Sequence, residues 1–177
     1  MMTRTQLANK QRRHMIYTQR IYIALAFIVI SLGLLRWKPK LKWPVMLVYA
    51  AAVVYLTFLM RRPYRSARYL LDPFHAWRYV IRVTEKGLVL GSKSQLKVIV
   101  LNILLFVPFG YLLPLFRKRA DRWWKVLLCG FAASLTIELL QLVTRYGMFD
   151  LDDLMHNTLG ALLGWGCYAG WLAGSCR

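Results

Sequence analysis

The stretch FDLDDLMHN, residues 149–157, sets Asp150, Asp152, Asp153, His156 and Asn157 within eight positions of a chain that carries only seven acidic residues and a formal net charge of +18. Carboxylates gathered in this way can hold a divalent cation through hard oxygen ligands, accept protons, or cap a helix. On a helix, Asp150, Asp153 and Asn157 fall at i, i+3 and i+7, and Asp152 and His156 at i and i+4, so the two sets occupy adjacent faces. Capping explains part of the group: Asp150 stands where an N-cap belongs, Asp153 takes the N3 position, and acids in a first turn complement the helix dipole. It accounts neither for Asn157 nor for Glu138, which sits upstream in SLTIELLQLVTR.

Glu138 is the one acidic residue inside an apolar run, where a charge costs several kcal/mol and calls for a partner. Gln141 and Arg145 follow at i+3 and i+7, and Ser134 precedes at i−4, so one helix face carries all four. The connection to the next helix is short, which forces an antiparallel hairpin and brings Arg145 beside the aspartates, with Gln141 one turn deeper and Glu138 about two. These residues outline a polar pocket lined by Glu138, Gln141, Arg145, Asp150, Asp153 and Asn157, with Asn102 of an earlier helix on its third side. A hydrogen-bond network that simply ties helices together is the alternative use of the same residues.

The elements that must position them are membrane helices. The chain of 177 residues is 58% apolar with a mean hydropathy of +0.41, above the usual level for a soluble globule. Apolar runs recur at 21–35, 45–60, 98–116, 124–143 and 154–172, each about 15 to 20 residues against the roughly 20 that cross hydrocarbon. The expected fold is therefore all-α, a polytopic bundle of about five spans. Lysines and arginines lie between the runs and tryptophans flank them, a pattern of anchors at anionic lipid headgroups that excludes a nucleic-acid platform. The basic N-terminal region with the first run, residues 1–44, reads as a tail and a retained membrane anchor, residues 45–172 as the main helical domain, and residues 173–177 as a short tail. Within the longest connection, RYLLDPFHAWRYVIR mixes apolar and basic residues as an interfacial amphipathic segment does. Pro108 and Pro114 should bend the third run and free the carbonyls of Leu104 and Gly110. Gly160 and Gly164, like Gly166, Gly170 and Gly174, stand four apart and offer close helix packing, within the chain or in a homodimer. Cys129, Cys167 and Cys176 show neither disulfide nor metal-ligand spacing.

On NILLFVPFGYLLP, SLTIELLQL and RYGMFDLDDLMHNTLGALLG, and on LLDPF as a departed form of an Asn-x-x-Pro-Phe element, the sequence resembles the VanZ-like family of small membrane proteins. That resemblance implies a helical bundle in a bacterial cytoplasmic membrane, a link to resistance against the glycopeptide teicoplanin, and no agreed reaction. It implies site residues Asn102, Glu138, Gln141, Arg145, Asp150, Asp152, Asp153 and Asn157. It also sides with an extracytoplasmic aspartate face. The charge evidence is divided on that point: the total of basic residues puts the face inside, whereas their density in the short loops at 36–42 and 117–125 puts it outside.

Three functions compete. A non-enzymatic pocket would recognise a lipid-linked cell-wall precursor or an amphiphilic glycopeptide. A metal-assisted enzyme would hold a divalent cation on Glu138, Asp150 and Asp153 and a lipid phosphate on Arg145, with His156 moving a proton. A scaffold would use the polar residues only to hold its own helices.

Overall fold

The computed structural model describes residues 26, 29, 30, 33, 39–59, 63–84, 87–117 and 122–175. The expected first span falls outside the described residues but for four of its positions, and so does the basic tail. Residues 1–52 and 53–177 form two compact units, and the polar residues all belong to the second.

Helix α1, Lys42–Val54, runs into a π-helical segment, Tyr55–Leu59. A two-residue strand β1, Tyr69–Leu70, and the short helix α2, His75–Val80, follow. The hairpin of β2, Ile81–Thr84, and β3, Gly87–Leu90, is antiparallel and leads into the long helix α3, Lys93–Phe116. Helix α4, Trp123–Thr144, strand β4, Phe149–Asp150, and helix α5, Leu151–Ser175, complete the chain.

Ser92 starts α3 by accepting the Gln95 N–H on its hydroxyl at 3.3 Å, which satisfies one of the donors that every helix start leaves open. Helix α4 stops at Arg145, which takes a left-handed conformation (φ 62°). The threonines inside the helices do not seek outside partners. Thr136, Thr144 and Thr158 each donate to the carbonyl four residues back, which keeps a hydroxyl satisfied where water is absent.

Among the described residues, three helices are long and apolar enough to cross a membrane: Lys42–Leu59, Lys93–Phe116 and Trp123–Thr144. Exposed Leu104, Leu128, Phe131, Leu139, Leu140 and Val143 give α3 and α4 an outer surface suited to hydrocarbon. The expected fifth span corresponds to α5. Its 25 residues would reach about 37 Å at 1.5 Å per residue, ample to span, but its polar first turns, glycines and tryptophans hold it below the apolar level of the other three. Among the described residues all-α holds apart from two minor strand pairs.

Within the second unit, α5 packs chiefly on α3, through glycine. A Cβ placed on Gly110 would lie 1.8 Å from the Ala161 carbonyl oxygen, on Gly160 2.1 Å from that of Ile103, and on Gly164 2.0 Å from that of Val107. Only hydrogen at these positions lets the two backbones approach so closely. By contrast, Gly166 and Gly170 meet nothing within 4 Å. Leu105, Phe106, Val126 and Ala161 form the core where α3, α4 and α5 meet. A second cluster of Ala76, Val80 and Ile99 holds α2 against α3, so the segment expected to lie at an interface is docked on the bundle.

Candidate functional site

The α4–α5 hairpin places the polar residues as the spacing requires. Ser134, Glu138 and Gln141 are all buried along one face of α4, at 0%, 2% and 1% exposure. Each meets a different partner. Asn157 donates its side-chain amide to the Ser134 hydroxyl at 2.9 Å. Glu138 Oε2 accepts the backbone N–H of Asp150 at 2.9 Å, which fixes the start of α5 against α4. Gln141 Nε2 donates to the Thr57 carbonyl at 3.2 Å, tying α4 to the π-helical segment. On α3, Asn102 donates its amide to Asp153 Oδ1, so the expected third side of the site is made by this contact.

Asp150 caps α5 as anticipated: its Oδ1 accepts the Asp152 N–H at 2.9 Å. Burial pushes the Asp150 carboxyl above its ordinary value of 3.8, and the pull of the Asp152 N–H and of His75 offsets that only in part. Asp152 turns the other way, toward a segment some 76 residues upstream. Its Oδ1 accepts the Phe74 N–H at 2.6 Å and its Oδ2 the Ala76 N–H at 2.8 Å, and His75 Nδ1 lies 3.1 Å from the same Oδ2. His75 Nε2 faces Asp150 Oδ2 at 3.6 Å. Next to this group, Trp77 donates its indole N–H to His156 Nε2 at 3.0 Å.

The upstream segment reaches this position along the α4–α5 connection. Tyr64 donates its N–H to the Arg145 carbonyl at 2.7 Å, Phe149 donates to the Arg68 carbonyl at 3.0 Å, and β1 pairs in parallel with β4, Tyr69 opposite Phe149 and Leu70 opposite Asp150. Arg78 closes the turn by its ion pair with Asp72 and a bond to the Pro73 carbonyl at 3.1 Å.

Two expectations need correction. Arg145 does not sit over the aspartates: its guanidinium bonds the Arg65 carbonyl at 3.4 Å, and among the described residues it forms no ion pair. A residue at a left-handed helix end projects away from the helix face that its sequence spacing suggests. Nor do Glu138, Asp150 and Asp153 converge on one point. Glu138 is committed to the Asp150 backbone and Asp153 to Asn102, and among the described residues no three His, Cys, Asp or Glu side chains are grouped as metal ligands. The buried polar residues form a seam between α3, α4 and α5, with a histidine–aspartate cluster at its mouth. Sequence reasoning missed His75, Trp77 and Thr57. An open apolar groove of about 580 Å³, lined by Trp123, Leu162, Leu163, Trp165, Gly166 and Cys167, lies near the opposite end of α4.

The seam is not fully satisfied. Gln141 Oε1, Asn157 Oδ1 and His156 Nδ1 are buried without hydrogen-bond partners among the described residues. Such groups cost about 1–3 kcal/mol each unless a water or ligand serves them.

Apolar helices around a buried carboxylate seam define an integral membrane protein with a polar centre at one end of its bundle. The chain matches the VanZ/LLP1 family over residues 46–173 and belongs to that family. It is 35% identical over 63 residues to Protein VanZ of Enterococcus faecium, a stretch covering 36% of this chain and 38% of that protein. The chain thus spans well under half the length of the curated relative it matches. No solved structure matches it.

Proposed function

We propose that this membrane protein contributes to resistance against teicoplanin-type glycopeptides by recognising, at the mouth of its polar seam, the head of a lipid-linked cell-wall precursor or of the amphiphilic drug itself. Membership of the VanZ/LLP1 family supports a role of the resistance type at the level of the family. The observation that carries the recognition step is the seam: buried Gln141, His156 and Asn157 each retain a polar atom without a hydrogen-bond partner among the described residues, inside an apolar bundle. A purely structural network would pair its members, since an unpaired buried group destabilises the fold. The head of such an amphiphile offers hydroxyl and amide groups to these atoms, and its lipid part stays in the bilayer beside the apolar helices. We place the seam's mouth on the extracytoplasmic side, where such ligands are encountered, and anionic headgroups at the basic loops.

The test is expression in a teicoplanin-susceptible bacterium. The wild-type chain should raise the inhibitory concentration, and the Glu138→Gln, Asp153→Asn double variant should return it to the level of cells lacking the protein while still reaching the membrane in equal amount. Full resistance from the well-folded double variant would overturn the proposal.

A further inference from the structure

The two ring nitrogens of His75 meet different surroundings. Nδ1 lies 3.1 Å from Asp152 Oδ2 and 3.2 Å from the Asp72 carbonyl oxygen. A carbonyl oxygen can only accept, and both Asp152 oxygens already accept backbone N–H groups, so Nδ1 carries the proton. In the neutral ring Nε2 is then an acceptor, yet it faces another acceptor, Asp150 Oδ2, at 3.6 Å. Between two acceptors at this spacing there is a place for a donor. Both side chains keep an open edge, 13% for His75 and 12% for Asp150.

A second, independent sign comes from His156. Indole nitrogen only donates, so the bond from Trp77 makes His156 Nε2 the acceptor and leaves the ring proton on Nδ1. Among the described residues that N–H has no partner, in a residue of 4% exposure within electrostatic reach of Asp152, Asp150 and His75. The cluster thus asks for a donor at one point and an acceptor at another. Hydroxyl groups supply both, whereas an ammonium cannot accept and a phosphate dianion cannot donate.

We propose that His75 Nε2 and Asp150 Oδ2 form a subsite for a hydroxyl group of a sugar-bearing amphiphile, with Asp152 fixing the His75 ring and His156 Nδ1–H available to a neighbouring oxygen of the same head. This rests on the reading of the seam's mouth as an amphiphile-recognition site, and it names the chemistry of the head.

The test uses the full purified chain in dodecyldimethylamine-oxide micelles and needs no resistance phenotype, so its failure is distinct from failure of the resistance reading. Diethyl pyrocarbonate, which acylates an unprotonated ring nitrogen, is followed at each histidine by mass spectrometry. His75 should react faster than His156, and added octyl β-glucoside should slow the His75 reaction. In Asp150→Asn the cap requires the amide oxygen at the Oδ1 position, which turns the NH₂ group toward Nε2 and fills the donor's place. His75 labelling should then be slow without glucoside, and the glucoside concentration for half-protection should rise by about 3- to 10-fold, the worth of one hydrogen bond. The proposal is overturned if octyltrimethylammonium protects as well as octyl β-glucoside, if glucoside leaves His75 labelling unchanged, or if Asp150→Asn behaves as wild type.

Discussion

Phe74 donates its backbone N–H to Asp152 Oδ1 at 2.6 Å across 78 residues of sequence, and does so from the left-handed region, at φ 62°. An aromatic residue in that region carries roughly 1–3 kcal/mol of strain, and a helix as short as α2 does not stand alone. Phe74 has no side-chain acceptor with which to cap α2. Asp152 takes that part from the first turn of a different helix, so the start of α5 builds the start of α2.

Removing this carboxylate should therefore release α2 and not the bundle. Asp152→Ala leaves the N–H groups of Phe74 and Ala76 without their acceptor, at a cost of about 2–3 kcal/mol to the docked segment. Hydrogen exchange should accelerate over residues 74–80 while α3 and α4 keep their protection. Unchanged exchange there would show that the Ala76, Val80 and Ile99 cluster holds α2 by itself.

The glycines of the α3–α5 contact are tested by alanine. Gly110→Ala, Gly160→Ala and Gly164→Ala each set a methyl group into a backbone carbonyl, and the helices must part, which typically costs about 1–3 kcal/mol. Gly166→Ala and Gly170→Ala fill open space and should leave thermal unfolding in micelles unchanged or slightly raised, since alanine favours the helix. Equal gains at all five positions would mean that helix propensity, and not contact, governs the series.

Asp150 should leave a signature in pH. Its carboxyl is raised above 3.8 chiefly by burial, so the folded protein binds this proton more readily than the unfolded chain does. Above the raised value the buried charge destabilises, and as pH falls through it the cost disappears. Asp150→Asn keeps an acceptor for the Asp152 N–H, so it should unfold at a higher temperature than wild type at neutral pH, with the gap closing on acidification. Asp150→Ala loses the cap as well, at about 1 kcal/mol. A gap that widens toward acid would contradict the buried-charge account.

How far these relationships could be read from residues alone depends on their range. The hairpin of α4 and α5, the cap at Asp150 and the contact face of Gly160 and Gly164 follow from spacings within one helix or across one short turn, where 3.6-residue periodicity governs. Asn102 was reachable because a lone amide in an apolar run needs a partner. The role of His75 was not. It depends on a chain passage that runs beside the 145–150 connection through two-residue strands, too short to show alternation, and on a left-handed Phe74 that no local pattern announces. The direction of Arg145 was misread because the helix ends on that residue, so its side chain leaves the face on which spacing had placed it.

The side of the membrane that the seam faces can be read with one thiol. Gly147, at the hairpin turn, is unsuitable because it is buried and a Cβ there would lie 2.7 Å from the Gln141 side chain; a cysteine would push against the residue that bonds Thr57. Tyr146 is 39% exposed at the same turn and accepts substitution more readily. In a chain lacking Cys129, Cys167 and Cys176, Tyr146→Cys should react with a membrane-impermeant maleimide in intact cells if this turn lies on the extracytoplasmic side, as the proposed function requires and as the density of basic residues in the short loops favours over their total. Reaction only after permeabilisation would put the histidine–aspartate cluster at the cytoplasmic surface. A cluster there would meet neither an external glycopeptide nor the outward-facing form of a lipid-linked precursor, and the proposed function would fall with it.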